Sequence, residues 1–476
     1  MLRTKIIATL GPASNSAEAI GGLIDAGADV FRLNFSHGTL EQHGQTLRNI
    51  RETCRDRGAT IAIMADLCGP KIRVEPLEDG GFEIAVGETL DILAETVVGG
   101  PKGISTSRPE LVREVAEGHQ VLIDDGNVRL RVVSISGDRL TCKCEVGGRI
   151  SDRKGVNLPD SDLAMSALTD KDRVDLAWAL ENKVDYVAVS FVRSAADLQA
   201  VREMMPLAGT DCRVVAKVET PQATEHIDEI IESADAVLVA RGDLGVEMDL
   251  ASVPLIQKNI TRRCQNAGKP VIIATQMLQS MVDSPVPTRA EVSDVANAIF
   301  DSADCVMLSA ETAIGRFPEQ ALRMIARVGE QTERFLASSL QRPEIRSPAM
   351  RRVTTAVAIG ASLLARELSA KLVAVWTESG NTARLLSKHR LDQPVVGLSP
   401  DESVCRRMAM YYGVLPIQMK RDPAVPAMLQ DVDAMLISRG MAEPGDLIVV
   451  IAGTHLDEPG STNALLIHLV VDPGAR

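Results

Sequence analysis

Along most of this chain a short aliphatic run alternates with a stretch of helical spacing, and that rhythm constrains the fold more than any other feature. The aliphatic runs fall at residues 5–10, 30–36, 60–67, 186–192, 213–219, 236–240, 270–276 and 305–309. Helix-period segments lie between most of them, as at 16–26, 42–57, 170–182 and 254–267. The runs are apolar on both faces, as parallel strands covered by helices are. Eight strands alternating with helices predict an α/β protein built on a closed (β/α)8 TIM barrel. Thr288 followed by Glu291 has capping-box spacing and marks a clean helix start after the seventh strand.

One interval breaks the rhythm. The third run ends near Leu67, yet its helix appears only around Ala167. The residues between are rich in Gly, Val and Ile, with short alternating runs at 118–124 and 128–135. This predicts an all-β insertion at the end of a barrel where active sites are built, a position suited to a lid. Beyond Arg342-Pro343 the pattern resumes with a helix at 353–367, a strand at 371–377 and further α/β alternation to Val471. Residues 335–351 read as the linker. The expected division is a barrel domain at 1–69 and 156–340, a β lid at 70–155 and a C-terminal α/β regulatory domain at 350–476.

Composition sets broad limits. The chain has 476 residues, 45% hydrophobic and 24% charged, enough for several cores, and with 3% aromatics those cores must be aliphatic. A net charge of −13 argues against nucleic acid or an anionic membrane as partner. No apolar run approaches the roughly 20 residues needed to span a bilayer. The apolar stretch that opens the chain is too short for a signal peptide and is cut off by Gly11-Pro12. Of the eight cysteines, Cys142 and Cys144 form the one close pair, without an accompanying His or second pair to hold a metal. A cytoplasmic location is expected.

The polar residues within the runs carry the chemistry. Lys217 and Glu219 stand two apart and share a face of the fifth strand. The sixth strand ends in Arg241-Gly242-Asp243-Leu244-Gly245, a glycine-flanked carboxylate. Carboxylates from adjacent strand ends suit Mg²⁺ or Mn²⁺, and a lysine beside them can hold a transferring phosphoryl group or a developing enolate. The structural alternative is a Lys217–Glu219 ion pair with Asp243 as a helix cap. In the second strand Arg32, Asn34 and Ser36 recur at period two, followed by His37. Arg32 suits bidentate phosphate contact. Asp66, Thr275, Ser309 and Glu311 close three further strands, so every candidate lies at one end of the barrel.

Six segments together resemble the pyruvate kinase family: residues 9–14, 32–38, 154–159, 239–245, 274–277 and 287–291. The resemblance runs in order from about Arg3 to the end. It implies Mg²⁺-dependent phosphoryl transfer from phosphoenolpyruvate to ADP, a phosphorylated allosteric effector and a homotetramer. It further implies that Lys217 stabilises the phosphoryl group in flight and the enolate, and that Glu219 and Asp243 bind the divalent cation. Arg32 contacts phosphate in this reading, while Gly242, Asp243 and Thr275 hold the substrate carboxylate. Thr275, Ser309 and Glu311 surround the site of enolate protonation. Nucleotide contacts fall to Asn34, His37, Arg73 and Lys154.

The chain departs from the family pattern at one place. Members that require K⁺ carry an acidic residue where this chain has Lys71, and Thr and Lys where it has Leu67 and Cys68. A fixed ammonium can replace the monovalent ion, which predicts K⁺-independent activity, with Asn34, Ser36, Asp66 and Leu67 keeping the shape of the monovalent site. In the C-terminal unit Thr377, Ser379, Gly380, Asn381 and Thr382 form a strand-to-helix turn resembling the family's effector loop. Glu378 within it favours a monophosphate over a bisphosphate. Two other readings stand beside this one: another enolate-stabilising barrel enzyme, which would need no nucleotide lid, and a catalytically silent regulatory paralogue, which would have lost Lys217, Glu219 or Asp243.

Overall fold

A computed structural model of the chain describes residues 2–161, 166–208, 211–338, 352–422, 424–453 and 462–472. Eight parallel strands close into a barrel: β1 (Lys5–Leu10), β2 (Val30–Asn34), β3 (Ala62–Asp66), β4 (Tyr186–Val189), β5 (Arg213–Val218), β6 (Ala236–Ala240), β7 (Val271–Ala274) and β8 (Cys305–Leu308). Each pairs with the next, and β8 returns to β1 through Lys5 opposite Cys305. Alternate residues divide between two cores. Ile6, Leu33, Ile63, Val187 and Val237 pack outward against helix residues such as Ile20 and Leu23. Ile7, Val30, Met64, Val215, Leu238 and Ile272 fill the interior, so the barrel is packed and has no pore.

Several strands end earlier than their apolar runs suggest, and the reason is local. Asn34 Oδ1 accepts the Ser36 N–H at 3.1 Å, a turn that takes Ser36 out of β2. Phe191, Thr275 and Gln276 adopt positive φ angles of 54°, 69° and 54°, which no strand accommodates. Ser36, Glu219, Thr275 and Ser309 therefore sit just beyond the strands, while Arg32, Asn34, Asp66 and Lys217 lie within them. Several helices start where a hydroxyl residue caps them. Thr39, Thr169 and Thr288 each close a capping box, the last with Glu291 as expected from the sequence. Helix Leu40–Arg57 stops at Gly58, whose φ of 60° and ψ of 30° form a left-handed cap.

Between β3 and helix Asp170–Glu181 lies the all-β insertion. Its six-stranded sheet runs in the order Val156–Asn157, Gln120–Ile123, Val128–Ile135, Arg139–Val146, Thr89–Leu93, Gly103–Ser105. Gly81–Ile84 pairs separately with Gly148–Ser151. Cys142 and Cys144 both point into this insertion's core. Burial pushes the Cys142 thiol up to about 12, and the Cys144 thiol also upward, so the pair packs as apolar side chains.

The C-terminal unit is a five-stranded sheet ordered Val414–Gln418, Val395–Ser399, Leu372–Trp376, Leu447–Gly453, Thr462–Leu469, with only the last strand antiparallel. It docks on the N-terminal end of the barrel. Asp304, fully buried before β8, meets Lys388 Nζ at 2.6 Å and Arg390 Nη2 at 3.1 Å. Asp185, before β4, meets Arg406 Nε at 2.9 Å, and Tyr186 Oη donates to the Arg407 carbonyl at 2.7 Å. The linker expected at 335–351 starts too early: helix Pro318–Ser338 continues through Phe335, whose ring packs edge-on against Phe300 at 5.9 Å. Residues 339–351 of that expectation lie outside the described residues. Among the described residues no helix is long and apolar enough to cross a membrane.

Candidate active site at the barrel mouth

Barrel closure brings β2, β3, β4 and β5 together around Lys217. Its Nζ lies 2.8 Å from Glu219 Oε1, 3.2 Å from Asp66 Oδ1 and 2.6 Å from Ser190 Oγ. Burial alone would lower the lysine's pKa, but the Asp66 and Glu219 carboxylates outweigh it, and the ammonium is held charged. Asp66 uses its other oxygen to accept Arg32 Nε at 2.6 Å, and Arg32 Nη1 donates to Thr9 Oγ1 at 3.0 Å. Burial would raise the Asp66 pKa; Lys217 and Arg32 more than offset it and keep the carboxylate ionised. The contact of Asp66 Oδ1 with Lys217 is an ion pair without hydrogen-bond alignment, and that oxygen has no other donor among the described residues.

Glu219 is 2% exposed and accepts the Phe191 N–H at 2.8 Å. Burial raises its pKa; Lys217 opposes this and Asp243 adds to it. Asp243 stands in the first turn of the short helix Arg241–Glu247, directly beyond β6. Two carboxylates crowded into a low-dielectric site gain from a cation between them, so this donor set fits a hard divalent ion completed by substrate oxygens and water. Among the described residues no group of three or more His, Cys, Asp or Glu side chains gathers as a self-sufficient metal site.

Beyond β7, Thr275 holds a left-handed conformation that is costly for a β-branched residue. Its Oγ1 accepts the Gly242 N–H at 2.7 Å and donates to the Ala274 carbonyl at 2.6 Å. Arg241 braces the strained turn: Nη2 donates to the Thr275 carbonyl at 2.7 Å, and Nη1 pairs with Asp294 at 2.7 Å. Beyond β8, Glu311 is 1% exposed and accepts the Ser309 N–H at 2.7 Å and the Leu278 N–H at 3.1 Å. It ties the ends of β7 and β8 together, leaving the Ser309 side chain at the mouth.

The insertion meets the mouth at a cleft of about 80 Å³ lined by Lys71, Asn157, Phe191, Thr220 and Glu247 among others. Asn157 Nδ2 donates to Glu247 Oε1 at 2.6 Å, a clasp between insertion and barrel. Burial pushes the Glu247 carboxyl up to about 7; the Asn157 bond opposes it and Asp243 adds to it. Lys71 lies against Gly155, whose Cβ, if present, would sit 3.3 Å from Lys71 Cε. Arg73 Nη1 donates to the Arg153 carbonyl at 3.0 Å, and Lys154 pairs with Asp124 at 2.8 Å. Asn34 is half-buried, and His37 is exposed at the turn after β2.

Far from the mouth, Thr377 Oγ1 accepts the Gly380 N–H at 2.9 Å, and Thr382 Oγ1 shares a hydrogen bond with Thr462 Oγ1 at 2.7 Å. Asn381 begins helix Asn381–Ser387, with Gly380 at φ 79° before it and Ser379 Oγ 3.5 Å from the Asn381 N–H. Three residues at these sites escape the sequence reading. Ser190 and Arg241 carry signals in hindsight, a hydroxyl closing β4 and a cation opening the Gly242-Asp243 turn. Arg421 reaches the Trp376 ring, 6.0 Å from its centroid, from a distant segment without any local cue.

Fold and mouth together define a barrel enzyme with an inserted β unit and an appended α/β unit. Residues 1–322 match the family model described as the pyruvate kinase barrel domain, and residues 355–468 the pyruvate kinase alpha/beta domain. A pyruvate kinase from Agrobacterium vitis is 42% identical over 98% of this chain and 96% of its own length. One from Geobacillus stearothermophilus is 39% identical over 99% of this chain and 81% of its own length. The crystal structure of a pyruvate kinase from Cryptosporidium parvum superposes with a TM-score of 0.90 at 36% identity, covering 98% of this chain and 96% of that one. The chain belongs to the pyruvate kinase family, and it is an enzyme of the transferase class.

Proposed function

We propose that the chain moves the phosphoryl group of phosphoenolpyruvate from the enol oxygen to the terminal phosphate of ADP, giving ATP and an enolate that is protonated at carbon to pyruvate. The observation that carries this reading is the buried Lys217 ammonium, held charged by Asp66 and Glu219 and open at the mouth of the barrel. Such a group stabilises charge both on the phosphoryl in flight and on the enolate left behind. Arg32, oriented by Asp66 and Thr9, contacts phosphate. Gly242, Asp243 and Thr275 receive the substrate carboxylate, which exchanges for the Gly242–Thr275 hydrogen bond. Thr275 and Ser309 face the enolate for protonation, with Glu311 fixing Ser309. Glu219 and Asp243 would hold Mg²⁺ or Mn²⁺, which supplies charge neutralisation at the phosphate and enol oxygens. Asn34, His37, Arg73 and Lys154 contact the nucleotide.

The finer features follow the same reading. Residues 70–155 act as a lid over the barrel of 1–69 and 156–340, with 350–476 as the regulatory unit. K⁺ is not required, because Asp66 already has two cationic partners in Arg32 and Lys217, and Lys71 adds a third positive charge at the cleft. A phosphorylated effector binds at Thr377–Thr382, where Arg421 supplies a nearby cation and Glu378 disfavours a bisphosphate. Titration with fructose 1,6-bisphosphate, glucose 6-phosphate, ribose 5-phosphate and AMP identifies it. The enzyme works in the cytoplasm as a homotetramer. The central test is pyruvate formation from phosphoenolpyruvate with and without ADP. Strict ADP dependence with stoichiometric ATP supports the proposal; pyruvate release without ADP, or no turnover, sinks it.

A further inference from the structure

The turn that follows β2 is held from outside by two side chains to which the proposed reaction gives no part. Asn34 starts this turn: its carbonyl accepts the His37 N–H at 3.2 Å, and its Oδ1 accepts the Ser36 N–H at 3.1 Å. The carbonyls of Phe35 and His37 are taken by neighbouring helices instead. Lys171, in the first turn of helix Asp170–Glu181, donates from Nζ to the Phe35 carbonyl at 2.7 Å. His43, in the first turn of helix Leu40–Arg57, meets the His37 carbonyl with Nε2 at 2.9 Å. A carbonyl can only accept, so this ring nitrogen carries the proton. Burial pulls the ring's pKa below the ordinary 6.5, against the His37 bond, so the donor is a neutral imidazole at neutral pH.

Both donors are themselves fixed. Asp175, 4% exposed, holds Lys171 Nζ at 2.5 Å. The His43 ring stacks on Phe35, with centroids 4.3 Å apart and 23° between the planes, and the Trp178 ring stands 5.6 Å from Phe35. Phe35 is thus the buried anchor of the turn, while Ser36 is half-buried and His37 exposed. An exposed turn with one apolar anchor samples several backbone conformations unless its carbonyls are held. Arg32 is fixed separately, by Asp66 and Thr9. Loosening the turn therefore disturbs Ser36 and His37 more than it disturbs the phosphate-facing arginine.

We propose that His43 and Lys171 are positioning residues for ADP, a role that rests on the nucleotide contacts proposed for Asn34 and His37. By holding two consecutive odd-numbered carbonyls, they present the turn to the nucleotide in one conformation, so that its ordering is complete before binding.

Steady-state kinetics with ADP and phosphoenolpyruvate varied in turn, together with calorimetric titration with ADP in the presence of Mg²⁺, test this on the full chain. His43→Phe keeps a ring against Phe35 but removes the donor; His43→Gln places an amide nitrogen where Nε2 stands. A third variant, Lys171→Met with Asp175→Asn, removes the second donor without leaving a buried carboxylate unpaired. The KM for ADP is expected to rise about tenfold in His43→Phe, the scale of one lost hydrogen bond, and severalfold in the paired variant, with ADP affinity falling in step. The KM for phosphoenolpyruvate should stay within about twofold, and His43→Gln should bring the KM for ADP back to within about threefold of the unaltered enzyme. An unchanged KM for ADP in His43→Phe overturns the proposal, as does an equal rise in the KM for phosphoenolpyruvate. Equal impairment in His43→Gln also overturns it, by making the ring a packing group alone. His37→Ala separates the two readings: a raised KM for ADP there beside an unchanged one in His43→Phe overturns the positioning role only, whereas no change in either overturns the His37 contact as well. Should His43→Phe fail to fold, the paired variant decides, and an unchanged KM for ADP there overturns the proposal.

Discussion

Lys217 Nζ and Glu219 Oε1 lie 2.8 Å apart on one strand, and the same ammonium is 3.2 Å from Asp66 on another. A structural ion pair would need only one of those carboxylates, whereas two keep the lysine charged in a site 11% exposed. Replacing it by the similarly long Met is expected to reduce pyruvate formation by about a thousandfold or more. Binding of Mn²⁺, followed by electron paramagnetic resonance, should persist because Glu219 and Asp243 remain. Near-normal turnover in Lys217→Met would refute the assigned role.

Asp66 is served by Arg32 and Lys217, and Lys71 lines the cleft between the insertion and the barrel. Turnover in potassium chloride and in tetramethylammonium chloride at equal ionic strength should agree within about threefold, since screening affects both alike. A hundredfold rise on adding K⁺ would show that the site needs the ion.

Arg241 clamps a turn in which Thr275 and Gln276 both have positive φ. Without the guanidinium the turn can relax, and the Gly242 amide and Thr275 hydroxyl lose their register. Arg241→Ala is expected to cost about a hundredfold in kcat/KM, the scale of a 1 Å misplacement. Unaltered steady-state kinetics would remove Arg241 from the positioning network.

Lys388 is 1% exposed against Asp304, which is fully buried. Lys388→Met leaves Asp304 with Arg390 as its cationic partner beside the Val271 N–H, and breaking a buried pair this way typically costs about 3 kcal/mol. Urea denaturation should show that loss while activity at low temperature survives. A change below about 1 kcal/mol would mean the pair contributes little beyond its own desolvation.

His389 gives the junction an acid limit. Burial, followed by the neighbouring Arg366, pulls its pKa down to about 4 from the ordinary 6.5. Between those values the unfolded chain binds a proton that the native state refuses, so stability falls as pH drops from 6.5 towards 4. The loss is at most about 3 kcal/mol. His389→Gln should flatten the melting temperature over that window, and an unchanged acid slope would place the sensitivity elsewhere.

Much of the architecture was readable because strand and helix periods are local. Apolar runs alternating with helix-period segments read as parallel strands under helices, and residues two apart on such a strand share a face. That places Lys217 beside Glu219, and Arg32 in line with Asn34. The Thr288–Glu291 capping box is equally local, a hydroxyl and a carboxylate serving orphan amides three residues apart. The strand ends were less legible, because apolar side chains continue past the point where Asn34, Phe191 and Thr275 turn the backbone.

From sequence alone came the barrel, the β insertion, the C-terminal unit and the strand-end residues Lys217, Glu219, Asp243 and Arg32. Only tertiary closure showed that Asp66 bridges Arg32 and Lys217, that Ser190 receives the lysine, and that Arg241 braces Thr275. It alone brought Asp304 against Lys388, 84 residues away. The physical reason is that periodicity is set by neighbours along the chain. The charge state of a buried group is set by whatever the fold packs around it, and that is decided only when distant segments meet.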